Sequence, residues 1–173
     1  ASDPTWASGR VQYVPLGSHP GLNPHPEVRP EPRFDVTLLG YRTPRRDRIR
    51  ARLESLRWAA PDYPGAGKAR HELLTHTRLM LHVHQHDDSA HLAPLRIALA
   101  AAYRMPIVSE DVYDEGEYAD YVWFAPYPAI PDAVQSVLAN AWSDPLEVER
   151  GEALHRWLCY EQSFERAIRK ALR

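Results

Sequence analysis

Hydrophobic residues in this chain fall into two patterns, short continuous runs and longer stretches with helical spacing. The short runs occupy residues 35–40, 79–83, 105–108 and 121–125, and Trp58 begins a further one. Runs of this length are typical of strands that are buried on both faces of a parallel sheet. In the longer stretches apolar side chains recur every three or four positions, which predicts helices over residues 45–56, 69–74, 94–102, 130–139 and 146–172.

The alternation of strands and helices predicts the fold class. It is typical of a single α/β domain, here a Rossmann-like three-layer sandwich built around a parallel sheet. We place this domain at residues 34–173. The segment before it, residues 1–33, holds seven of the 16 prolines and predicts an extended linker with one brief strand at residues 11–14.

The stretch from residue 78 to residue 110 localises the predicted ligand site. It predicts a strand, a polar loop, a helix and a second strand, which together form one βαβ unit. His84 follows the first strand of this unit, and Ser109 and Glu110 are expected just past the end of the second. Because ligands of open α/β sheets bind beyond the carboxyl ends of the strands, we expect the site at this edge.

Composition argues against several classes of function. The net charge is −2 over 173 residues, so the chain lacks the overall positive charge of nucleic-acid-binding proteins. Cys159 is the single cysteine, which leaves no disulfide framework and no thiolate metal cluster within the chain. No apolar run approaches the roughly 18 residues that span a bilayer, so we predict no transmembrane segment and a cytoplasmic location. The chain starts at Ala1 rather than at a methionine, as expected for a fragment or a processed piece of a longer protein.

The turn after the first predicted strand carries the groups expected of a phosphate site. Gly40 permits a sharp backbone turn, and Thr43 followed by Pro44 is typical of an N-cap and a first helical turn. A helix N-terminus binds anions, and arginine can hold phosphate oxygens with two hydrogen bonds. The alternative is that the arginines form a solvated helix face. The arginines of this turn are Arg42, Arg45 and Arg46.

Three alternating histidines leave three interpretations open. As a metal site they would need a bend in the chain, because side chains two residues apart on one strand lie roughly 7 Å apart. In a structural interpretation His82 is hydrogen-bonded inside the sheet and His86 is exposed. In the third, His84 lies at the mouth of the ligand cleft. We rank the metal site last and expect neither a metal nor another cofactor. The three histidines are His82, His84 and His86.

Further side chains at the same edge are also open to more than one interpretation. Glu110 can accept hydrogen bonds from hydroxyl groups of a ligand, or it can cap the turn that follows. Arg96, on the central helix, can reach a diphosphate or form an ion pair with Asp87, Asp88 or Glu110. Ser109 and the backbone N–H groups after it can assist in phosphate binding. The sequence has neither a G-x-G-x-x-G nor a Walker A motif, so a dinucleotide enzyme or a P-loop NTPase is not predicted.

Several segments resemble the C-terminal, donor-binding domain of GT-B glycosyltransferases, in particular the group related to spore-maturation glycosyltransferases. Residues 13–20, YVPLGSHP, resemble the interdomain crossover of that family. Residues 35–40, DVTLLG, with Arg46 downstream, resemble the start of its second Rossmann-like domain. Three more segments resemble family motifs: residues 81–84, LHVH, followed by Leu95 and Arg96; residues 105–110, MPIVSE; and residues 160–166, YEQSFER.

The resemblance implies a domain that binds a nucleoside-diphosphate sugar and, without a metal, donates the sugar to an unknown acceptor. The second wall of a GT-B cleft is an N-terminal acceptor domain, which this chain lacks, so the implied partner is such a domain or another chain. His84 becomes a candidate catalytic residue. The residues implied in donor and phosphate binding are Gly40, Arg42, Thr43, Arg45, Arg46, His84, Arg96, Ser109 and Glu110.

Departures from the family pattern keep two other functions open. His82 stands where the family has asparagine, and Arg104 stands where it has glycine. The acid of the family's central helix has no counterpart around residues 94–98. These departures favour a non-catalytic Rossmann-like module that assembles with a partner chain. The third function is a metal-dependent enzyme built on the three alternating histidines.

Overall fold

Four short apolar runs form one parallel sheet in the computed structural model. The strands lie side by side in chain order, and every adjacent pair is parallel. They are buried almost throughout, as expected for strands covered on both faces. The predicted parallel sheet is therefore confirmed. The strands are β1 (Phe34–Leu38), β2 (Thr77–His82), β3 (Ile107–Glu110) and β4 (Trp123–Ala125).

Helices cover both faces of the sheet and create two separate cores. Along β2 the side chains alternate between them, because Leu79 and Leu81 join one core and Met80 joins the other. The first core packs under α1 (Pro44–Arg52) and α4 (Ile130–Asn140). The second packs under α2 (Lys68–Thr75), α3 (Pro94–Ala102) and α5 (Pro145–Arg156). The predicted three-layer α/β sandwich is confirmed.

The strand order places a crevice between β1 and β2. Trp58 forms an isolated parallel bridge with Val36, and the bridge lies on the edge of β1 away from β2. After β1 the chain therefore first runs to one edge of this strand, where Trp58 forms its bridge. It then crosses to the other edge, where β2 pairs with β1 and is followed by β3 and β4. In doubly wound sheets this reversal leaves an opening at the carboxyl ends of the two central strands, where ligands bind.

The structure describes residues 30–59, 67–140, 145–158, 166, 168 and 169. The predicted strand at residues 11–14 and nearly all of the predicted linker lie outside this range. The last helix begins at Pro145, and most of its predicted continuation from residue 159 to residue 172 also lies outside. None of the described helices is long and apolar enough to cross a lipid bilayer.

Several predicted boundaries are shifted by a few residues, and the structure shows the cause of three of these shifts. Helix α1 ends at Arg52 rather than at residue 56, since the Leu53 carbonyl accepts the Trp58 indole N–H at 3.0 Å and the chain turns toward the Trp58 bridge. Ser109 and Glu110 do not follow β3 but are its last two residues, because they pair with β4. Strand β4 starts two residues later than predicted, since the amides of Tyr121 and Val122 close a turn on the Tyr118 carbonyl.

Arg104 has a left-handed backbone with φ of 48°. Its Nε is buried without a hydrogen-bond partner, and its guanidinium pairs with Glu152 at 3.3 Å. We expect Arg104→Gly to be more stable than Arg104→Ala by about 1 kcal/mol, because only glycine adopts this conformation without strain. Both variants lose the ion pair with Glu152. The difference between their free energies of unfolding, measured from urea unfolding curves, therefore reports the strain of the left-handed backbone. Equal midpoints for the two variants would contradict this.

Candidate functional site

The first turn of α1 places two arginines at the crevice. Thr43 has an extended backbone, and its hydroxyl accepts a hydrogen bond from the Arg46 amide at 3.3 Å, so it is the N-cap that the sequence predicts. Pro44 occupies the first helical position. The helix therefore starts directly above the carboxyl end of β1. Both Arg45 and Arg46 are buried there, rather than lying on a solvated helix face.

Arg45 is neutralised by two carboxylates. Its guanidinium makes two hydrogen bonds to Glu110, one of them at 2.5 Å, and its Nε donates to Asp87 at 2.5 Å. The hydrogen bonds that Arg45 donates to Glu110 are the main reason that the pKa of Arg45 is raised above its usual value. The guanidinium also lies 3.9 Å from the ring centre of Tyr127, whose hydroxyl donates to the Arg45 carbonyl at 2.8 Å. Arg45 therefore joins α1 to β3, to the loop after β2 and to the segment before α4.

Both carboxylate oxygens of Glu110 accept hydrogen bonds from other groups of the protein. Besides the Arg45 guanidinium, its Oε2 accepts the backbone N–H of His84 at 2.9 Å. The side chain is 8% exposed. The geometry matches neither of the two predicted roles, a ligand for hydroxyl groups or a turn cap. In this structure Glu110 is the buried partner of Arg45 and the anchor of the loop after β2.

Arg46 and Arg96 converge on Gly40. A methyl group added to Gly40 would lie 2.9 Å from Nη2 of Arg96 and 3.0 Å from Nη1 of Arg46. Arg46 is fixed by the protein, because its Nε donates to the Val83 carbonyl at 3.0 Å and its Nη1 to the Tyr41 carbonyl at 2.7 Å. The Gly40 backbone has φ of 123°, which favours glycine for a second reason.

The guanidinium of Arg96 is half-buried and makes no hydrogen bond or ion pair with the part of the chain that the structure describes. The predicted pairs with Asp87, Asp88 and Glu110 do not form, because Arg45 takes two of these carboxylates. Burial lowers the pKa of Arg96. Burial, followed by the charges of Arg96 and Arg45, lowers the pKa of Arg46. Two like charges thus share one edge of the crevice and neither forms an ion pair with a described carboxylate, since Glu110, whose charge also acts on Arg46, is paired with Arg45.

Two of the three predicted histidines contact each other at this edge, and the third does not join them. His82 is the last residue of β2, its Nδ1 lies 3.1 Å from Ser109 Oγ, and its ring meets that of His84 edge to face at 5.1 Å. His84 Nε2 lies 2.8 Å from the Asp111 carbonyl, to which it donates. His86 is exposed beyond the strand end, so the three rings do not share one face. Among the described residues, no three histidine, cysteine, aspartate or glutamate side chains are grouped to hold a metal.

The remaining predicted residues have local partners, and one contributor to the site, Tyr127, was not predicted. Ser109 is buried, and its hydroxyl donates to the Glu110 carbonyl at 2.8 Å. Arg42 is exposed and pairs with Asp47 at 3.1 Å, as expected for a solvated charge. No local pattern indicates that Tyr127 stacks on Arg45, since the two residues lie 82 positions apart.

Comparison with known proteins identifies a shared fold. The sequence matches no protein-family profile, and it matches no curated protein. Among solved structures it is similar to TarM, a GT-B glycosyltransferase, with 12% identity and a TM-score of 0.52. The match covers 86% of this chain but 36% of TarM, so the chain spans about a third of that protein's length. At this identity the comparison establishes the fold, and over most of its length the chain has the fold of part of a GT-B glycosyltransferase.

Proposed function

We propose that this chain is the donor-binding half of a metal-independent glycosyltransferase and binds a nucleoside-diphosphate sugar. The diphosphate would lie over Gly40, between the guanidinium groups of Arg46 and Arg96. The observation that carries this proposal is the convergence of these two arginines on a bare glycine backbone without a carboxylate partner. An acceptor domain or a partner chain would complete the catalytic cleft.

The charge balance supports a ligand with at least two negative charges. Arg45 is neutralised by Glu110 and Asp87, whereas Arg46 and Arg96 repel each other at the crevice. A diphosphate would offset both charges and could accept charge-assisted hydrogen bonds from both side chains. The two arginine side chains would then neutralise the diphosphate charge, as a divalent cation does in metal-dependent phosphate sites.

The position of the pair supports the same ligand. Arg46 belongs to the first turn of α1 and Arg96 to the first turn of α3, so each lies near a helix N-terminus, where backbone N–H groups favour an anion. Both helices begin at the carboxyl edge of the sheet, beside the opening between β1 and β2.

Arg96→Met is the sharpest test, because Arg96 has no protein partner among the described residues to lose. We expect the variant to be at least as stable as the wild type and to bind its nucleoside diphosphate about 10- to 100-fold more weakly, the range for a lost hydrogen bond to a charged group. Isothermal titration with UDP, GDP, ADP and dTDP, each with and without EDTA, measures the affinity. A preceding thermal-shift screen is sensitive enough, since a ligand at 100 times its dissociation constant adds about 2.7 kcal/mol.

Arg52→Ala provides the matched control, because Arg52 is an exposed arginine at the other end of α1. Its affinity for every nucleotide should equal that of the wild type. Binding that disappears with EDTA would overturn metal independence. Wild-type protein that binds none of the four nucleotides, nor inorganic pyrophosphate, would overturn the donor-site proposal.

Exposed apolar side chains favour assembly with another protein as a second candidate function. Tyr41, Leu95 and Tyr113 are 83%, 74% and 77% exposed. Each lies at the carboxyl edge of the sheet, in the turn after β1, at the start of α3 and after β3 respectively. A module that had lost its donor would still present this edge to a partner, so failure of all nucleotides to bind would leave this function in place.

A further inference from the structure

His82 lies beside the two unpaired arginines and is not used in the donor site as described so far. It is the last residue of β2, and its side chain is 5% exposed. It lies on the same face of the sheet as Met80, the face that α3 covers, so it sits beneath the helix that carries Arg96. Its nearest polar contact is Ser109, the neighbouring residue on β3.

Ser109 fixes which ring nitrogen of His82 carries the proton. The Ser109 hydroxyl has one hydrogen, and it donates that hydrogen to the Glu110 carbonyl at 2.8 Å. Its oxygen can then only accept from Nδ1 of His82, which lies 3.1 Å away. The neutral ring therefore has its hydrogen on Nδ1 and a lone pair on Nε2.

The ring stays neutral because its surroundings oppose a second proton. Burial is the largest effect, followed by the charges of Arg96, His84 and Arg46, and together they lower the pKa of His82 to about 3. At neutral pH Nε2 is therefore a hydrogen-bond acceptor and not a donor.

Nε2 of His82 has no hydrogen-bond donor among the described residues, so it is available to accept a hydrogen bond from a ligand. Among the described residues, the side-chain nitrogen or oxygen that is sealed from solvent without a partner is Nε of Arg104. Nε2 of His82 is therefore not sealed from solvent. Arg46 and Arg96 lie close enough for both of their charges to act on the His82 ring.

An acceptor placed beside two cations selects for a particular kind of ligand. The oxygens of a diphosphate diester carry no hydrogen at neutral pH, so they bind the guanidiniums but cannot donate to Nε2. A hydroxyl group can donate a hydrogen bond to Nε2. Because it is neutral, its burial does not remove a charge from water. Both requirements are met by the diphosphate diester of a nucleotide sugar, because its phosphate oxygens carry no hydrogen while its sugars carry hydroxyl groups.

Building on the proposed function, we infer that His82 is a specificity residue that accepts a hydrogen bond from a sugar or ribose hydroxyl of the ligand through Nε2. It discriminates between a sugar-bearing diphosphate and an inorganic one. Ser109 is its positioning residue, because it holds the ring in the accepting tautomer.

The test compares two probes, inorganic pyrophosphate and the nucleotide sugar that binds best among UDP-glucose, GDP-mannose, ADP-glucose and dTDP-glucose. His82→Phe keeps an aromatic ring and removes the acceptor. We expect it to bind the nucleotide sugar about 10-fold more weakly, the upper range for one hydrogen bond. Pyrophosphate, compared at a pH high enough that the anion carries no hydrogen, should bind with unchanged affinity. His82→Asn restores an acceptor oxygen and should recover most of the loss. Ser109→Ala keeps the ring, frees its tautomer and should fall between the two.

The outcomes separate this inference from the proposed function. If the wild type binds both probes and His82→Phe weakens neither, or weakens both equally, the role of His82 is overturned while the donor site stands. If the wild type binds neither probe, both fail. Should His82→Phe not fold, Ser109→Ala decides: equal weakening of both probes, or of neither, overturns the inference.

Discussion

Glu110→Gln is expected to lower the free energy of unfolding by about 3 kcal/mol, because it leaves Arg45 buried with only the exposed Asp87 as a counter-charge. The replacement keeps the shape of the side chain, so the loss reports the charge rather than packing. Urea unfolding followed by circular dichroism measures it, provided that the slope of the transition is unchanged.

A matched control is available in an exposed ion pair. Glu72 pairs with Arg33 at 3.5 Å, and both side chains are about 60% exposed. Glu72→Gln should cost at most about 0.5 kcal/mol, since exposed pairs contribute little. The double variant Arg45→Met with Glu110→Leu should recover much of the loss, because neither charge remains to be buried. Equal effects of the two Glu→Gln changes would contradict a buried, structural ion pair.

The second large effect concerns pH. We expect acidification from pH 8 to pH 5 to cost the wild type about 2 kcal/mol through His82 alone. The unfolded chain binds a proton on this histidine near pH 6.5, whereas the folded pKa is about 3. Between these values the unfolded state holds more protons, so stability is complete above pH 6.5 and is lost as the pH falls toward 3.

The measurement is a series of unfolding curves between pH 5 and pH 8 for the wild type and His82→Asn. In the variant, the free energy of unfolding should depend less steeply on pH, because the contribution of His82 is removed. His86→Asn is the control, because His86 is exposed and its removal should leave the wild-type slope in place. The carboxylates with lowered pKa values, Asp35 and Asp87, titrate below this window. A His82→Asn profile parallel to that of the wild type would refute a neutral, buried His82.

The sequence predicted the elements well because their signals are local. Thr43 followed by Pro44 marks a helix start whatever surrounds it, and the apolar runs around Leu81 and Val108 mark buried strands. The end of α1 was missed because it depends on a hydrogen bond from Trp58, which is decided by where the chain returns to the sheet.

The sequence predicts where the candidate site lies, but it does not predict which contacts each of its side chains makes. Its position followed from the rule that ligands bind at the carboxyl edge of a parallel sheet. The roles depend on pairings that no spacing encodes, since Arg45 and Glu110 lie 65 positions apart. Three arginines in one turn look alike in a sequence, yet one is neutralised, one is fixed to carbonyls and one is solvated.

The network around Arg45 has a consequence for the thermodynamics of binding. One guanidinium holds α1, the loop after β2, the end of β3 and the segment before α4 in a single arrangement. This wall of the crevice is assembled before a ligand arrives, so ligand binding does not have to immobilise it. The conformational entropy of these segments is lost on folding rather than on binding, and it therefore does not weaken the affinity.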